Sequence, residues 1–334
     1  MAKILLIANY KPSVGGISGQ IEILLKHFND NKNQIDLFNT KDNIFKRILM
    51  PFVLFIKGRK YDIFHIHGCS FFGFFPIVIG VIIGSLLKKK IIITYHGGGL
   101  DEFINKYKTK VMYYLNKADI ITVPSKYLQN ILNDNSIKSK YLPNIIRDDN
   151  VYFKKRDILK PNLIVTRTLD EVYNIPLVIM TFKDLKKVVP DAKLKIVGDG
   201  KLKNEIFELV KKENIDDIEF VGRVPNSKIG EILNTSDIFI NPSNKDNMPL
   251  SLFEALACGL AVISTNVGGI PDYITDGING FLIEPNNKEQ LTNKILYVLN
   301  NQAEVQKIID NGYQTFEKLT LRNLKSEYLK LYEL

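Results

Sequence analysis

Short apolar runs alternate with segments of helical period along the whole chain. In the first half the runs are Lys3–Ala8, Ile35–Phe38, Ile63–Ile66, Ile91–Thr94, Ile120–Val123 and Ser139–Leu142, each short enough to be a buried strand. Between the first two, Ile21, Leu24, Leu25 and Phe28 recur at i, i+3, i+4 and i+7, one face of an amphipathic helix. The second half restarts the alternation with Asn162–Thr166, Lys193–Val197, Glu219–Val221, Ile238–Asn241, Ala261–Ser264 and Gly280–Ile283. Leu321, Leu324, Tyr328 and Leu331 close the chain at helix spacing. Strands apolar on both faces and separated by helices predict parallel sheets covered by helices. Between the two sets, residues 145–160 lapse into a charged, irregular stretch, which predicts an interdomain linker. The expected fold is therefore α/β. It has two doubly wound, Rossmann-like domains, 1–150 and 151–315, facing across a cleft, and a C-terminal helix over 316–334 that packs back on the N-terminal domain. In such sheets ligands bind beyond the carboxyl ends of the strands.

Phe71 to Leu87 is the one segment that invites a different reading, because its 17 residues carry no charge and Lys88-Lys89-Lys90 come directly after. Spanning a bilayer takes about 20 apolar residues. Three glycines and Pro76 interrupt this run, and strand-like segments flank it on both sides. A membrane span there would split one sheet across the bilayer. A buried crossover helix is the plain reading, and a half-inserted interfacial helix is the alternative. The basic, apolar stretch Phe45 to Phe52 and the cluster Lys57 to Lys60 lie nearby in sequence.

Composition narrows the class further. The 334 residues, 45% hydrophobic and 24% charged, suit a globular chain too long for one core. Two cysteines, Cys69 and Cys258, can build neither a disulfide framework nor a four-ligand zinc site. The five apolar residues Ile4 to Ala8 at the start read as a strand and not as a secretory leader, so the expected location is cytoplasmic. The net charge of +9 is uneven: residues 1–150 hold 21 Lys+Arg against 11 Asp+Glu, and residues 151–334 hold 24 against 25. A basic first half suits an anionic partner, or it is simply a solvated lysine-rich face. With no zinc-finger spacing, basic heptad helix or RNA-binding aromatic signature, nucleic acid is the weaker option and is not expected as a partner, and the anionic inner face of a cell membrane, met as a peripheral protein, is the stronger.

Three glycine-bearing turns come after strands where a ligand would sit. Lys11 to Gly16 brings Gly15 and Gly16 to the start of the first helix, where backbone N–H groups could meet an anion. Tyr95-His96-Gly97-Gly98-Gly99 sets His96 at a strand's carboxyl end with room to reach a ligand. Val197-Gly198-Asp199-Gly200 lacks the later glycine of a dinucleotide fingerprint. His65 and His67 alternate on a strand end, but no third metal ligand is close, so they read as core or cleft-wall histidines. No two aspartates lie two positions apart, so no Asp-x-Asp metal signature is present and no metal site is expected.

The strongest motif runs from Asp246 through Asn247, Met248, Pro249 and Leu250 to Gly259. Pro249 suits a first helical turn and Gly259 a stop, which predicts a helix over Leu250–Cys258. Glu254 is the only charged residue from Pro249 to Ile263 and shares the helix's apolar stripe. Burying a lone carboxylate costs several kcal/mol unless it is paired or hydrogen-bonded. Something polar must meet it, a protein partner or a ligand hydroxyl, and the ligand is the stronger reading.

At these residues the chain resembles the family-four retaining glycosyltransferases of the GT-B fold, which use nucleotide sugars. The resemblance spans essentially the whole chain and is sharpest from about 160 to 285. It includes Asn266-Val267-Gly268-Gly269-Ile270-Pro271-Asp272, Asp276-Gly277-Ile278-Asn279-Gly280, the Gly15-Gly16 loop, the Thr94-Tyr95-His96-Gly97 turn and Pro143-Asn144. It implies that Glu254 binds the nucleotide ribose hydroxyls and that Asp246 contacts the donor sugar. It also implies that Arg167 holds the diphosphate, with Asn247, Met248, Pro249 and Leu250 lining the donor site and His96 meeting the substrate. Two departures stand out: Asp246 replaces the usual glutamate, and Asn174 stands near the place of the usual lysine, since Thr168 to Pro176 contains none. The resemblance thus implies a transferase with no cofactor beyond its donor, a nucleoside diphosphate sugar with UDP favoured over GDP. The acceptor would be a glycan or a lipid-linked hydroxyl in surface polysaccharide or glycoconjugate synthesis, and the leaving phosphate itself would take the acceptor's proton. The alternatives are a nucleotide-sugar epimerase of the same fold and a catalytically silent partner subunit.

Overall fold

The structure, a computed structural model, describes every residue except 1, 13–15, 31, 42, 43 and 334, and of residues 44–46 only the backbone. Two compact units result: Met1–Ile145 together with Leu321–Leu334, and Ile146–Thr320.

The first unit runs β1 (Ala2–Ala8), α1 (Ile17–His27), β2 (Asn33–Asn39), α2 (Ile44–Gly58), β3 (Ile63–Gly68), α3 (Phe75–Leu86), β4 (Lys90–Tyr95), α4 (Leu100–Leu115), β5 (Ile120–Val123), α5 (Lys126–Asp134) and β6 (Lys140–Tyr141). The six strands form one parallel sheet in the order β2-β1-β3-β4-β5-β6. Right-handed crossovers then put α1 on one face and α2 to α5 on the other. Leu5 and Ile7 of β1 and Phe64 and Ile66 of β3 face the second group and pack with Leu54, Ile77 and Leu128 in a continuous apolar core. The strand order reverses between β1 and β3.

The second unit runs β7 (Asn162–Thr166), α6 (Ile175–Leu185), β8 (Lys193–Val197), α7 (Lys203–Lys212), β9 (Ile218–Gly222), α8 (Ile229–Leu233), β10 (Ile238–Asn241), α9 (Leu250–Ala257), β11 (Ala261–Thr265), β12 (Phe281–Ile283), α10 (Lys288–Asn300) and α11 (Gln302–Glu317). Its sheet is again six-stranded and parallel, ordered β12-β11-β10-β7-β8-β9. Its order reverses between β7 and β10, which is where a doubly wound sheet opens a crevice for ligands. The last helix, α12 (Leu321–Leu329), belongs to the first unit. There the Tyr328 hydroxyl donates to Pro143 O at 2.8 Å, and the Tyr328 ring lies 5.9 Å from Phe28, just past the end of α1.

Two differences from the sequence pattern have physical causes, and the plain reading of Phe71 to Leu87 as a crossover helix agrees with the structure. The units divide at Ile145/Ile146, at the start of the charged stretch read as a linker, but the rest of that stretch is bound into the second unit: Arg156, only 6% exposed, donates to the carbonyls of Lys154, Ser236, Cys258 and Gly259 and pairs with Asp237 at 3.2 Å. Its guanidinium satisfies carbonyls at the ends of two structural elements, so composition alone misjudged the segment. Phe71 to Leu87 forms a short 3-10 turn and α3, a crossover helix between β3 and β4, and among the described residues no helix is long and apolar enough to cross a membrane. The α2 helix carries Pro51 in its interior and was not anticipated from the pattern.

Candidate active site

The reversal point of the second sheet gathers the polar residues of that unit. Arg167 comes immediately after the last residue of β7, and Asn241 ends the neighbouring β10. Arg167 Nε donates to Asn241 Oδ1 at 2.9 Å, and its Nη2 pairs with Asp246 Oδ2. The guanidinium also lies 4.9 Å from the centre of the Tyr173 ring. Asp246 Oδ1 accepts from the Asn247 N–H at 2.9 Å. Beneath this pair Asn241 is fully buried, donates to Ser264 Oγ at 2.9 Å and accepts from Ser243 Oγ at 2.9 Å. Thr265 Oγ1 donates to Ser243 O at 2.6 Å. Two sides of the guanidinium are thus fixed, while Nη1 makes no hydrogen bond among the described residues. A planar cation held this way, with one edge unspent, suits a phosphate.

Close backbone packing sets the position of Arg167. Gly198, at φ 144°, packs so tightly that a Cβ there would lie 1.9 Å from the Arg167 carbonyl oxygen. The glycine turn after β8 therefore serves the β7 loop, and the pair is tied by the Arg167 N–H donating to Val197 O at 3.0 Å.

Glu254 comes to the same unit on α9, the helix that its sequence predicts to within one residue. Pro249, at ψ 113°, stands just before the helix and not in its first turn. Neighbouring Met248 is buried and accepts from the Tyr273 hydroxyl at 3.3 Å. Ser251, Leu252, Phe253, Ala255, Leu256 and Ala257 are buried, so Glu254 projects from an apolar helix. Its carboxyl makes no hydrogen bond or ion pair among the described residues. Burial pushes its pKa up to about 7, against the pull of Arg167 and Arg147. The buried Ser251 Oγ on this helix and Thr166 Oγ1 beside Arg167 also lack partners among the described residues. Asn174 sits at the start of α6 in the left-handed region (φ 47°) and donates to Asn286 Oδ1 at 2.9 Å.

The first unit holds a separate histidine cluster at its own reversal point. Gly16, at φ 67°, precedes α1 after β1, and its neighbour Gly15 lies outside the described residues. His67 at the end of β3 and His96 just past β4 hydrogen-bond through Nδ1 and Nε2 at 3.1 Å, with their rings stacked at 5.3 Å. His96 is 6% exposed and packs against the His67 ring. His67 Nε2 is buried and has no partner among the described residues. Behind them His65 bonds Tyr332 Oη at 2.9 Å and Thr94 Oγ1 at 2.7 Å. Burial lowers His96 to about 4 and His65 to about 3, so the cluster is neutral at neutral pH. Among the described residues no three His, Cys, Asp or Glu side chains come together in a way that could hold a metal ion.

Residues 149–315, half of the chain, match the family described as glycosyl transferases group 1, and residues 27–149 match Glycosyltransferase Family 4. The chain belongs to this glycosyltransferase family. An uncharacterised glycosyltransferase of Methanocaldococcus jannaschii is 27% identical over 365 aligned positions, covering 99% of this chain and 98% of its own length. The N-acetyl-alpha-D-glucosaminyl L-malate synthase of Bacillus anthracis is 28% identical over 297 positions, 83% of this chain and 75% of that one. Among solved structures, Anabaena HepE in complex with UDP superposes with a TM-score of 0.81 at 15% identity, over 99% of both chains. Sucrose-phosphate synthase from Thermosynechococcus elongatus gives 0.82 at 17% identity, over 99% and 98%. These likenesses establish the GT-B fold for this glycosyltransferase. Within its second unit the structure joins Arg167 to Asp246, a pairing that sequence spacing did not reveal. Asn241, Tyr173, Ser251 and His67 were not singled out as site residues, because each is of a residue type common in ordinary cores and strand ends.

Proposed function

We propose that this glycosyltransferase moves a hexosyl or N-acetylhexosaminyl group from a nucleoside diphosphate, UDP in preference to GDP, to a hydroxyl of a glycan or lipid-linked acceptor, retaining the anomeric configuration. The observation that carries the reading is the unpaired Glu254 carboxyl on an apolar helix, in the same unit as a guanidinium with an unspent edge. Ribose hydroxyls are neutral donors that would satisfy such a carboxylate, and a diphosphate is the anion that suits Arg167. The relatives lend support: the HepE structures hold UDP, UDP with glucose, and UDP-glucose, and the Bacillus anthracis relative is named an N-acetyl-alpha-D-glucosaminyl L-malate synthase.

In this reading negative charge grows on the leaving diphosphate as the glycosidic bond breaks. Arg167, held in advance by Asn241 and Asp246, stabilises it without reorganising, the logic of an oxyanion hole. Asn174, already engaged by Asn286, adds at most a neutral amide where a lysine would add charge, which throws more of the work onto Arg167 and backbone N–H groups. No metal is assigned a role. Asp246 contacts the donor sugar while orienting Arg167, and Asn247, Met248, Pro249 and Leu250 line the donor site. In the first unit Gly15 and Gly16 offer backbone N–H groups to an anion. His96, neutral and braced by His67, donates or accepts a hydrogen bond to substrate. The leaving phosphate takes the acceptor's proton. The enzyme works in the cytoplasm, in assembly of surface polysaccharide or glycoconjugate.

A thermal-shift screen with uridine and guanosine diphosphates and their common sugars tests the reading. A ligand at 100 times its Kd adds about 2.7 kcal/mol of stability, so uridine compounds should raise the melting temperature and adenosine compounds should not. A flat response to every nucleotide contradicts it. Release of an altered nucleotide sugar with no acceptor present identifies an epimerase instead.

A further inference from the structure

A helix on a protein surface normally turns a polar face outward; α2 does not. Its inward face carries Met50, Leu54 and Gly58, while its outward face carries Ile48 (71% exposed), Leu49, Phe52 (67%), Val53 and Ile56. The outward set recurs at i, i+1, i+4, i+5 and i+8, so it forms one stripe along the helix. A second apolar set lies alongside. Helix α3 runs parallel to α2: the Arg47 guanidinium stands 5.3 Å from the Phe75 ring at one end. At the other end Lys89 Nζ donates to Arg59 O at 3.0 Å, and a Cβ on Gly58 would meet Leu87 at 3.1 Å. From α3 and the turn before it, Ile82, Leu86 and Phe72 are exposed, Phe72 at 90%. Phe71, which holds that turn, adopts the left-handed region (φ 54°), rare for an aromatic residue, with its ring 5.1 Å from Phe103.

Charge identifies what covers this face. Residues 44–100 contain eight Lys+Arg and a single acid, Asp62. Lys57, Arg59, Lys60 and Lys88 are exposed where the two helices end together, and Arg47 stands at their start. An apolar stripe flanked by cations, with no acid on either helix, complements the interface of an anionic bilayer: the side chains enter the acyl boundary and the basic groups meet phosphate. A second copy of the same chain would bring cations against cations.

We propose that α2 and the exposed edge of α3 form a docking face on which the first unit lies flat on an anionic lipid surface, Ile48, Phe52, Ile56 and Phe72 being inserted. The proposal extends the acceptor side of the proposed glycosyl transfer, but vesicle binding needs no donor, so its failure would leave that transfer standing and the reverse also holds.

The chain contains no tryptophan, which makes single-tryptophan variants clean reporters. Phe52→Trp and Phe72→Trp should each show a blue shift with vesicles of phosphatidylcholine and phosphatidylglycerol, and quenching when the acyl chains are brominated. Phe207→Trp, exposed on α7 of the second unit, should show neither. Binding should weaken steeply with salt and fall about fivefold for each cation removed, so Lys57→Gln, Arg59→Gln and Lys60→Gln together lose roughly a hundredfold, with an unchanged melting temperature showing that the fold survives. No shift at either reporter, an equal response to pure phosphatidylcholine in high salt, or a dimer by light scattering whose Phe52→Trp emission is already blue-shifted without lipid would each overturn the proposal.

Discussion

At the scale of single residues, Glu254 and Arg167 are two halves of one electrostatic arrangement. Burial holds the Glu254 carboxyl at a pKa of about 7, so close to neutral pH it is part protonated. Ribose hydroxyls donate to the ionised form, and nucleotide binding should therefore expel a proton. The affinity for UDP should rise as pH climbs from 6 to 8 in wild type, by up to about tenfold per unit below the pKa. In Glu254→Gln that component should vanish, and identical pH profiles by titration calorimetry would remove the ribose contact. Arg167→Ala should lower kcat by about 10²-fold or more, the effect of losing one donor to a transition-state anion; a near-wild-type rate would show that the charge is met elsewhere. Gly198→Ala bears on the same guanidinium from a distance, because its Cβ would drive into the Arg167 carbonyl. Its kcat should fall while the first unit melts as before.

At the scale of elements, most of the architecture could be read from alternation alone. Strand boundaries at β5, β7, β8 and β10 coincide with the apolar runs, because buried strands are written largely as β-branched and other apolar residues, even in β8 where Lys193 and Lys195 alternate with Leu194 and Ile196. The helix bearing Glu254 was legible for a similar reason: one carboxylate in an otherwise apolar turn stands out against its neighbours. What the pattern hid were partnerships across the fold. Arg156 looked like one more charge in a solvated linker, yet it closes the ends of two elements and pairs with Asp237. Arg156→Met removes the cation from beside Asp237, which keeps only the Asn162 amide, and takes donors from the Ser236 and Gly259 carbonyls. It should lower the stability of the second unit by about 3–5 kcal/mol, measured as a shift in its urea midpoint; a change below about 1 kcal/mol would mean the guanidinium only fills space. The Arg167–Asp246 pair joins residues 79 positions apart, and the His67–His96 pair residues 29 apart. Neither separation has a local signature. The α2 helix escaped notice because Pro51 interrupts it and because apolar residues on both faces erase its period.

At the scale of the whole molecule, the buried titratable groups of the two units bias stability in opposite senses between about pH 4 and 7. In the first, His65 and His96 titrate near 3 and 4 when folded and near 6.5 when unfolded. The unfolded chain binds more protons in that window, so stability is intact above about 6.5 and drains away as pH falls toward 4. In the second, Glu254 titrates near 7 when folded and near 4.5 when unfolded. Here the folded chain holds the extra proton, so the contribution of Glu254 to stability is fullest below about 4.5 and is lost as pH rises through 7. Calorimetry across pH 4 to 8 should show two transitions drifting in opposite directions, with Glu254→Gln flattening only the one that belongs to the second unit. Transitions that move together would contradict the separate origins of these shifts. The reading of the molecule as a nucleotide-sugar enzyme turns in the end on the contact between Glu254 and a ribose. A cycle of four affinities tests it directly: wild type and Glu254→Gln, each with UDP and with its 2′,3′-dideoxy analogue. Hydrogen bonds to a charged group contribute about 1.5–3 kcal/mol. Either change alone should therefore weaken binding by about 10² and the second should add almost nothing, whereas losses that simply multiply, or a variant that binds UDP like wild type, would show that the carboxylate never touches the sugar.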